Sequence, residues 1–223
     1  MKILTIDILR ELIAKHGIEN YLKDLMDRLQ QDFSRWEEFQ MTPRPAIHVP
    51  GGVLELMPVC DQKYFTYKYV NCHPKNTDVG LMTVVATGQL SEISTGYPLL
   101  VSEMTILTAL RTAATTALVT DCMARKNATV VAIIGTGAQS EFLIRALRLV
   151  RDITEVRFFD IDSKAMDKFE INFRNADFKM VRSENAEEAV RGADIVTVCT
   201  ACRAHVDVIK NDWIQEGVHI NGL

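Results

Sequence analysis

Hydrophobic and polar positions change their period along the chain, and each change marks a different kind of element. Over residues 5–39 the apolar positions fall at helical spacing. Ile8, Leu9, Leu12 and Ile13 form a short run that Asp7 can cap, Gly17 interrupts it, and Leu22, Leu25, Met26, Leu29, Phe33 and Trp36 form a second stripe. That stripe reads as core or as subunit contact. Pro43 and Pro45 then force an extended path around Arg44. Short strands are predicted at residues 46–49, 53–58, 65–70, 82–87 and 98–101, separated by glycine pairs and polar stretches of hairpin type. A long helix rich in Ala, Leu and Thr, over residues 105–125, closes this α+β region.

Beyond residue 128 strands alternate with helices. Val130, Val131, Ala132, Ile133 and Ile134 make an unbroken apolar run suited to a strand covered on both faces. Gly135-Thr136-Gly137-Ala138-Gln139-Ser140 follows, then a helix with Phe142, Leu143, Ala146, Leu147 and Val150 on one side, then a strand over 156–159 that ends in Asp160. A helix over 163–172, a strand over 178–181, a helix over 185–191, a strand over 195–199 and an apolar stretch over 218–223 complete the pattern. Asn185 and Glu188 resemble a capping box at the third of these helices. Such alternation predicts a Rossmann-type doubly wound parallel sheet following the α+β domain. The expected domains are residues 1–126 and 127–223. The pattern stops at what reads as a fifth strand, where a sheet of this class carries a sixth, so an incomplete sheet and a fragment are expected.

The glycine turn carries the first chemistry. Gly135 lets the chain turn tightly off its strand, and Gly137 removes a side chain that would hold the backbone away from a pyrophosphate. The helix that follows offers unpaired N–H groups and its positive dipole end. Asp160 stands about twenty residues further on, where a carboxylate can accept from adenosine ribose hydroxyls and repel a 2′-phosphate. NAD is therefore favoured over NADP. Ser140 replaces the third glycine of the fingerprint, a position that mainly governs helix–strand packing.

Composition narrows the setting. The 223 residues carry a net charge of −4, with 48% apolar and 24% charged residues, and no basic cluster suits nucleic acid. No apolar run approaches membrane-spanning length, and Asp7, Arg10 and Glu11 break up the N-terminus, so a cytoplasmic protein without membrane contact is expected. Five cysteines without a framework spacing suit a reducing compartment. Cys199 and Cys202 have CxxC spacing, but no second pair exists for zinc, and coincidence is the better reading. The five histidines are not at metal-ligand spacing, and no metal is expected.

Outside the turn, Arg44 sits on a stiff backbone between two prolines, a good way to aim a guanidinium at a carboxylate. Arg111 lies among apolar and small residues, where a charge needs a partner or a ligand. Lys68 lies in a strand of aromatic and β-branched residues, and Glu55 lies between two leucines. For these two, strand alternation favours solvent exposure or a structural ion pair. Residue chemistry alone reaches an NAD-dependent protein acting on something anionic.

The segments GVLELMPV (52–59), KYVNCHPKNT (68–77), EMTILTALRTAATTALVTDCMAR (103–125) and IIGTGAQSEF (133–142) closely resemble the ornithine cyclodeaminase/mu-crystallin family. The resemblance runs from the N-terminal helices to the last residue. It implies a substrate domain that dimerises into a homodimer, with the dinucleotide domain inserted into it. It also implies NAD-dependent conversion of L-ornithine to L-proline with loss of ammonia. Carried over by position, Arg44 and Arg111 would hold the α-carboxylate, Lys68 the carboxylate or imine, and Glu55 would lie near the substrate amines. Thr83, Ala138, Gln139, Asp160 and Thr200 match cofactor contacts. The family's catalytic aspartate would follow Leu223, so no catalytic acid/base is expected within these residues. A related imine reductase and a non-catalytic nucleotide-binding protein are the alternatives.

Overall fold

The computed structural model describes residues 1–200 and 207–223; Ala201, Cys202 and His205, part of the CxxC spacing and one histidine, lie outside the described residues. The first helix, α1 (Ile6–His16), is capped by Thr5, whose hydroxyl accepts from the Ile8 N–H at 3.4 Å. Asp7 instead occupies the first turn, where its charge meets the helix dipole. Gly17, at φ 86°, ends α1 and leads into α2 (Ile18–Ser34).

These helices belong mostly to the first of two units, residues Met1–Tyr21 and Asp27–Thr108. Its sheet contains β1 (Lys2–Leu4), β2 (Gln40–Met41), β3 (Ala46–Val49), β4 (Gly52–Cys60), β5 (Tyr64–Cys72), β6 (Val84–Glu92) and β7 (Pro98–Glu103). The order is β1-β7-β6-β5-β4-β2, with β3 also on β4. Every pairing is antiparallel except β1 with β7. Strands β4 to β7 run longer than the pattern predicts, whereas β6 starts at Val84 rather than at residue 82. Pro58 is tolerated inside β4 because it falls between the stretches paired with β3 and β2. Asp61 closes the β4–β5 hairpin: its Oδ1 accepts from the N–H groups of Lys63 (2.8 Å) and Tyr64 (2.7 Å).

The second unit comprises Leu22–Met26 and Ala109–Leu223. The division therefore falls inside α3 (Thr105–Met123), earlier than the expected boundary at 126/127. Arg151 explains why the later part of α3 groups with this unit. Its side chain, 1% exposed, donates to the carbonyls of Thr120, Asp121, Ala124 and Arg125 at the C-terminal end of the helix. Beyond α3 come β8 (Val130–Ile134), α4 (Ser140–Leu147), β9 (Glu155–Phe159), α5 (Ser163–Asn172), β10 (Lys179–Arg182), α6 (Ala186–Val190), β11 (Ile195–Val198) and β12 (His219–Gly222). The sheet order is β10-β9-β8-β11-β12, and every pair is parallel. Val131, Ile133, Val156, Phe158 and Ile195 are fully buried, as helices on both faces require.

Asn185 caps α6 by accepting from the Glu188 N–H at 2.9 Å. Glu188 in turn accepts from the Glu184 N–H, one residue before the expected capping-box partner. Among the described residues no helix is long and apolar enough to cross a membrane.

Candidate functional site

At the end of β8, Gly135 adopts φ 98°. A Cβ there would meet the Cys199 carbonyl carbon and oxygen at 3.0 Å and the Thr200 nitrogen at 3.1 Å, so the close run of chain after β11 excludes any side chain. Gly137 is the opposite case. It is exposed, and nothing lies within 4 Å of where its Cβ would be, so open space stands beside bare backbone. Ser140 explains the departure from the fingerprint: it is fully buried, and its hydroxyl donates to the Gly137 carbonyl at 2.7 Å. The turn is thus closed by a side chain where a glycine would leave it to backbone alone. Ala138 is exposed and Gln139 half-buried just before α4, whose N-terminus has no side-chain cap.

Asp160 follows β9 and reaches back to this turn. Its Oδ2 accepts from the Thr136 N–H (2.6 Å) and hydroxyl (3.2 Å), and its Oδ1 accepts from the Asp162 N–H (3.0 Å). The open backbone at Gly137, the free start of α4 and the carboxylate at the end of β9 fit a dinucleotide. Cys199 lies under the turn with its Sγ 3.1 Å from the Gly135 carbonyl oxygen. Burial, with a further push from the Asp160 charge, raises its thiol to about 12. Thr200 is half-buried just past that strand.

In the first unit, register puts Glu55 and Lys68 on one face of the sheet, since Met57 stands opposite Lys68 and Val70 opposite Glu55. Arg44 reaches the same face, with Nη1 3.2 Å from Glu55 Oε1. Lys68 Nζ donates to Thr108 Oγ1 at 3.3 Å. Glu55 is therefore ion-paired, as its strand position suggested, with a side chain 20% exposed against 54% for Arg44. Arg44 also lines an apolar groove of about 380 Å³ with Phe33, Trp36 and Met57. Thr83 is half-buried just before β6, its carbonyl accepting from the His73 N–H at 2.8 Å. Arg111 is exposed on α3 and belongs to the second unit.

Sequence patterns missed Thr136, Thr108 and the role of Cys199. The middle residue of a glycine turn is unrestricted in the fingerprint, so Thr136 carried no signal; Thr108 is one of many threonines on α3. Among the described residues, no group of three or more His, Cys, Asp or Glu could hold a metal ion.

Comparison with known proteins gives a consistent picture. The model of the ornithine cyclodeaminase/mu-crystallin family matches residues 9–223. An ornithine cyclodeaminase of Brucella abortus biovar 1 is 45% identical over 220 residues, covering 99% of this chain and 61% of that protein. This chain thus spans about three-fifths of that relative's length. The solved structure of Thermococcus litoralis Δ1-pyrroline-2-carboxylate reductase with NADH and L-proline superposes with a TM-score of 0.87 at 30% identity, covering 100% of this chain and 68% of that one. An archaeal alanine dehydrogenase dimer with bound NAD gives 0.83 at 34% identity, covering 99% of this chain and 66% of that one.

Proposed function

The chain belongs to the ornithine cyclodeaminase/mu-crystallin family, and from that premise we propose that it is the nucleotide- and substrate-binding part of an NAD-dependent ornithine cyclodeaminase that forms L-proline and ammonia. The convergence of Arg44, Glu55 and Lys68 on one sheet face carries the reading. A face with one guanidinium, one ammonium and one carboxylate suits an amino acid that brings a carboxylate and amines of its own. Bound NAD supplies a hydride acceptor that returns what it takes, so the net reaction is redox-neutral.

Gly135 and Gly137 give the pyrophosphate access to backbone, with Ala138 and Gln139 at the helix start. Asp160 takes the ribose, and Thr83 and Thr200 complete the contacts. Arg44 and Arg111 hold the α-carboxylate. The exposed Arg44–Glu55 pair is a weak one, easily exchanged for a substrate carboxylate, which releases Glu55 toward the amines. Lys68, steadied by Thr108, bonds to the carboxylate or to the imine. Fixing the δ-amine beside the imine carbon makes ring closure effectively intramolecular, worth about 7–11 kcal/mol of barrier. The full-length protein is a homodimer in this reading.

The test uses two reactions. A cyclodeaminase makes proline from ornithine with catalytic NAD; a reductase consumes NADH stoichiometrically with a cyclic imine and makes no proline from ornithine. Proline formed from ornithine with catalytic NAD supports the assignment, and reduction of a cyclic imine with no action on ornithine overturns it.

A further inference from the structure

We propose that Thr136 is a positioning residue: it holds the Asp160 carboxylate so that a single oxygen position faces the adenosine ribose, and so sets the preference for NAD over its 2′-phosphorylated form. The proposal rests on the nucleotide reading of the glycine turn and goes beyond it by assigning the specificity to a residue that the fingerprint leaves open.

Lone pairs make the argument. An ionised carboxylate offers about four acceptor positions, two on each oxygen. On Asp160, Oδ2 takes both the N–H and the hydroxyl of Thr136, at 2.6 and 3.2 Å, and Oδ1 takes the Asp162 N–H at 3.0 Å. Among the described residues that fills three positions and leaves one, on Oδ1. A ribose with two adjacent hydroxyls would ordinarily engage both oxygens of a free carboxylate. Here it meets a carboxylate already turned and pinned, with room for one hydroxyl donor.

The pin is rigid. Thr136 is fully buried between Gly135, whose φ of 98° fixes the turn, and Gly137, whose carbonyl is tied to the Ser140 hydroxyl. The negative charge of Asp160 is also felt by the Cys199 thiol beneath the turn. The carboxylate is therefore fixed at its post, where a 2′-phosphate would meet it before any nucleotide has arrived. Without the hydroxyl, one donor on Oδ2 remains, and the carboxylate can swing away from that post.

The experiment uses the whole 223-residue chain and titrates it with NADH and with NADPH, following nicotinamide fluorescence. Thr136→Val replaces the hydroxyl by a methyl group of similar size, and Thr136→Ser keeps the hydroxyl. Wild type is expected to prefer NADH. Thr136→Val should weaken NADH binding by roughly 2- to 10-fold, the worth of one hydrogen bond, while leaving NADPH unchanged or tighter. Thr136→Ser should restore the wild-type ratio. Should the valine variant fail to fold by circular dichroism, Thr136→Ala takes its place with the same expectation. An unchanged NADH-to-NADPH ratio, equal losses for both nucleotides, or tighter NADH binding would each overturn the proposal. A wild-type chain that binds neither nucleotide would remove the nucleotide reading itself, a different and separately visible failure.

Discussion

The Cys199 thiol and the Asp61 carboxylate show how local surroundings set chemistry. Cys199 is held near 12 by burial and by the Asp160 charge, so almost none of it is thiolate at neutral pH. Iodoacetamide at pH 8 should label the exposed Cys122 and leave Cys199 intact in the folded chain, as peptide mass spectrometry would show. Asp61 is shifted the other way. Its carboxyl lies below the usual carboxylate range because the Tyr64 and Lys63 N–H groups donate to it, helped by Arg35. A depressed folded value means the stabilisation is present above the ordinary carboxylate range and is lost as pH falls through the folded value. Asp61→Ala should lower stability by about 1–2 kcal/mol at pH 7, and the gap from wild type should close below the ordinary carboxylate range in urea titrations. The sequence displayed Gly135, Gly137 and Asp160 plainly, since each has a fixed place in a local fingerprint. It hid the bonds between them: a hydroxyl at Thr136 or Ser140 has many partners in principle, and only the folded turn selects one.

Among the elements, α3 depends on a residue far from it in sequence. Arg151 fans across four carbonyls at and just past the end of the helix, three of which also accept from the Ala124 N–H, Lys126 Nζ or the Ala128 N–H. Arg151→Met should therefore destabilise the chain by roughly 2–4 kcal/mol, since it removes several charge-assisted hydrogen bonds at once, that to the Ala124 carbonyl among them, and Arg151→Lys should recover little because an ammonium lacks the planar fork. Urea denaturation followed by circular dichroism measures both. Nothing in the pattern of residues 105–125 announced this cap, because the partner lies after β8 and α4. The same limit explains β1, whose three residues pair in parallel with β7: so short a strand has no period of its own to detect. Elements with dense local signals were legible. The alternation from β8 to β9 and the Asn185 cap of α6 appear where expected, with ends shifted by one to three residues.

Over the whole molecule, the two sheets differ in what they leave uncovered. On the first, the face opposite Glu55 and Lys68 carries Ile47, Leu56, Phe65, Tyr69 and Val85, all at least 36% exposed. That apolar face is the natural contact for the proposed homodimer. Leu56→Asp paired with Tyr69→Asp, cross-strand neighbours on it, should convert a dimer to a monomer in sedimentation velocity while leaving NADH binding within about twofold. Lack of any change in sedimentation would place self-association elsewhere.

The parallel sheet carries a cost in time. Strand β8 leaves the ribosome before any of its neighbours, and β9 soon covers one of its edges. Its other edge waits for β11, which arrives only after α5, β10 and α6 have been made. Until then a wholly apolar strand stands half-paired, the condition in which nascent chains stick to one another. Slower synthesis in the cold, or chaperones that shield emerging strands, should raise the yield of native protein more than any gain in its final stability.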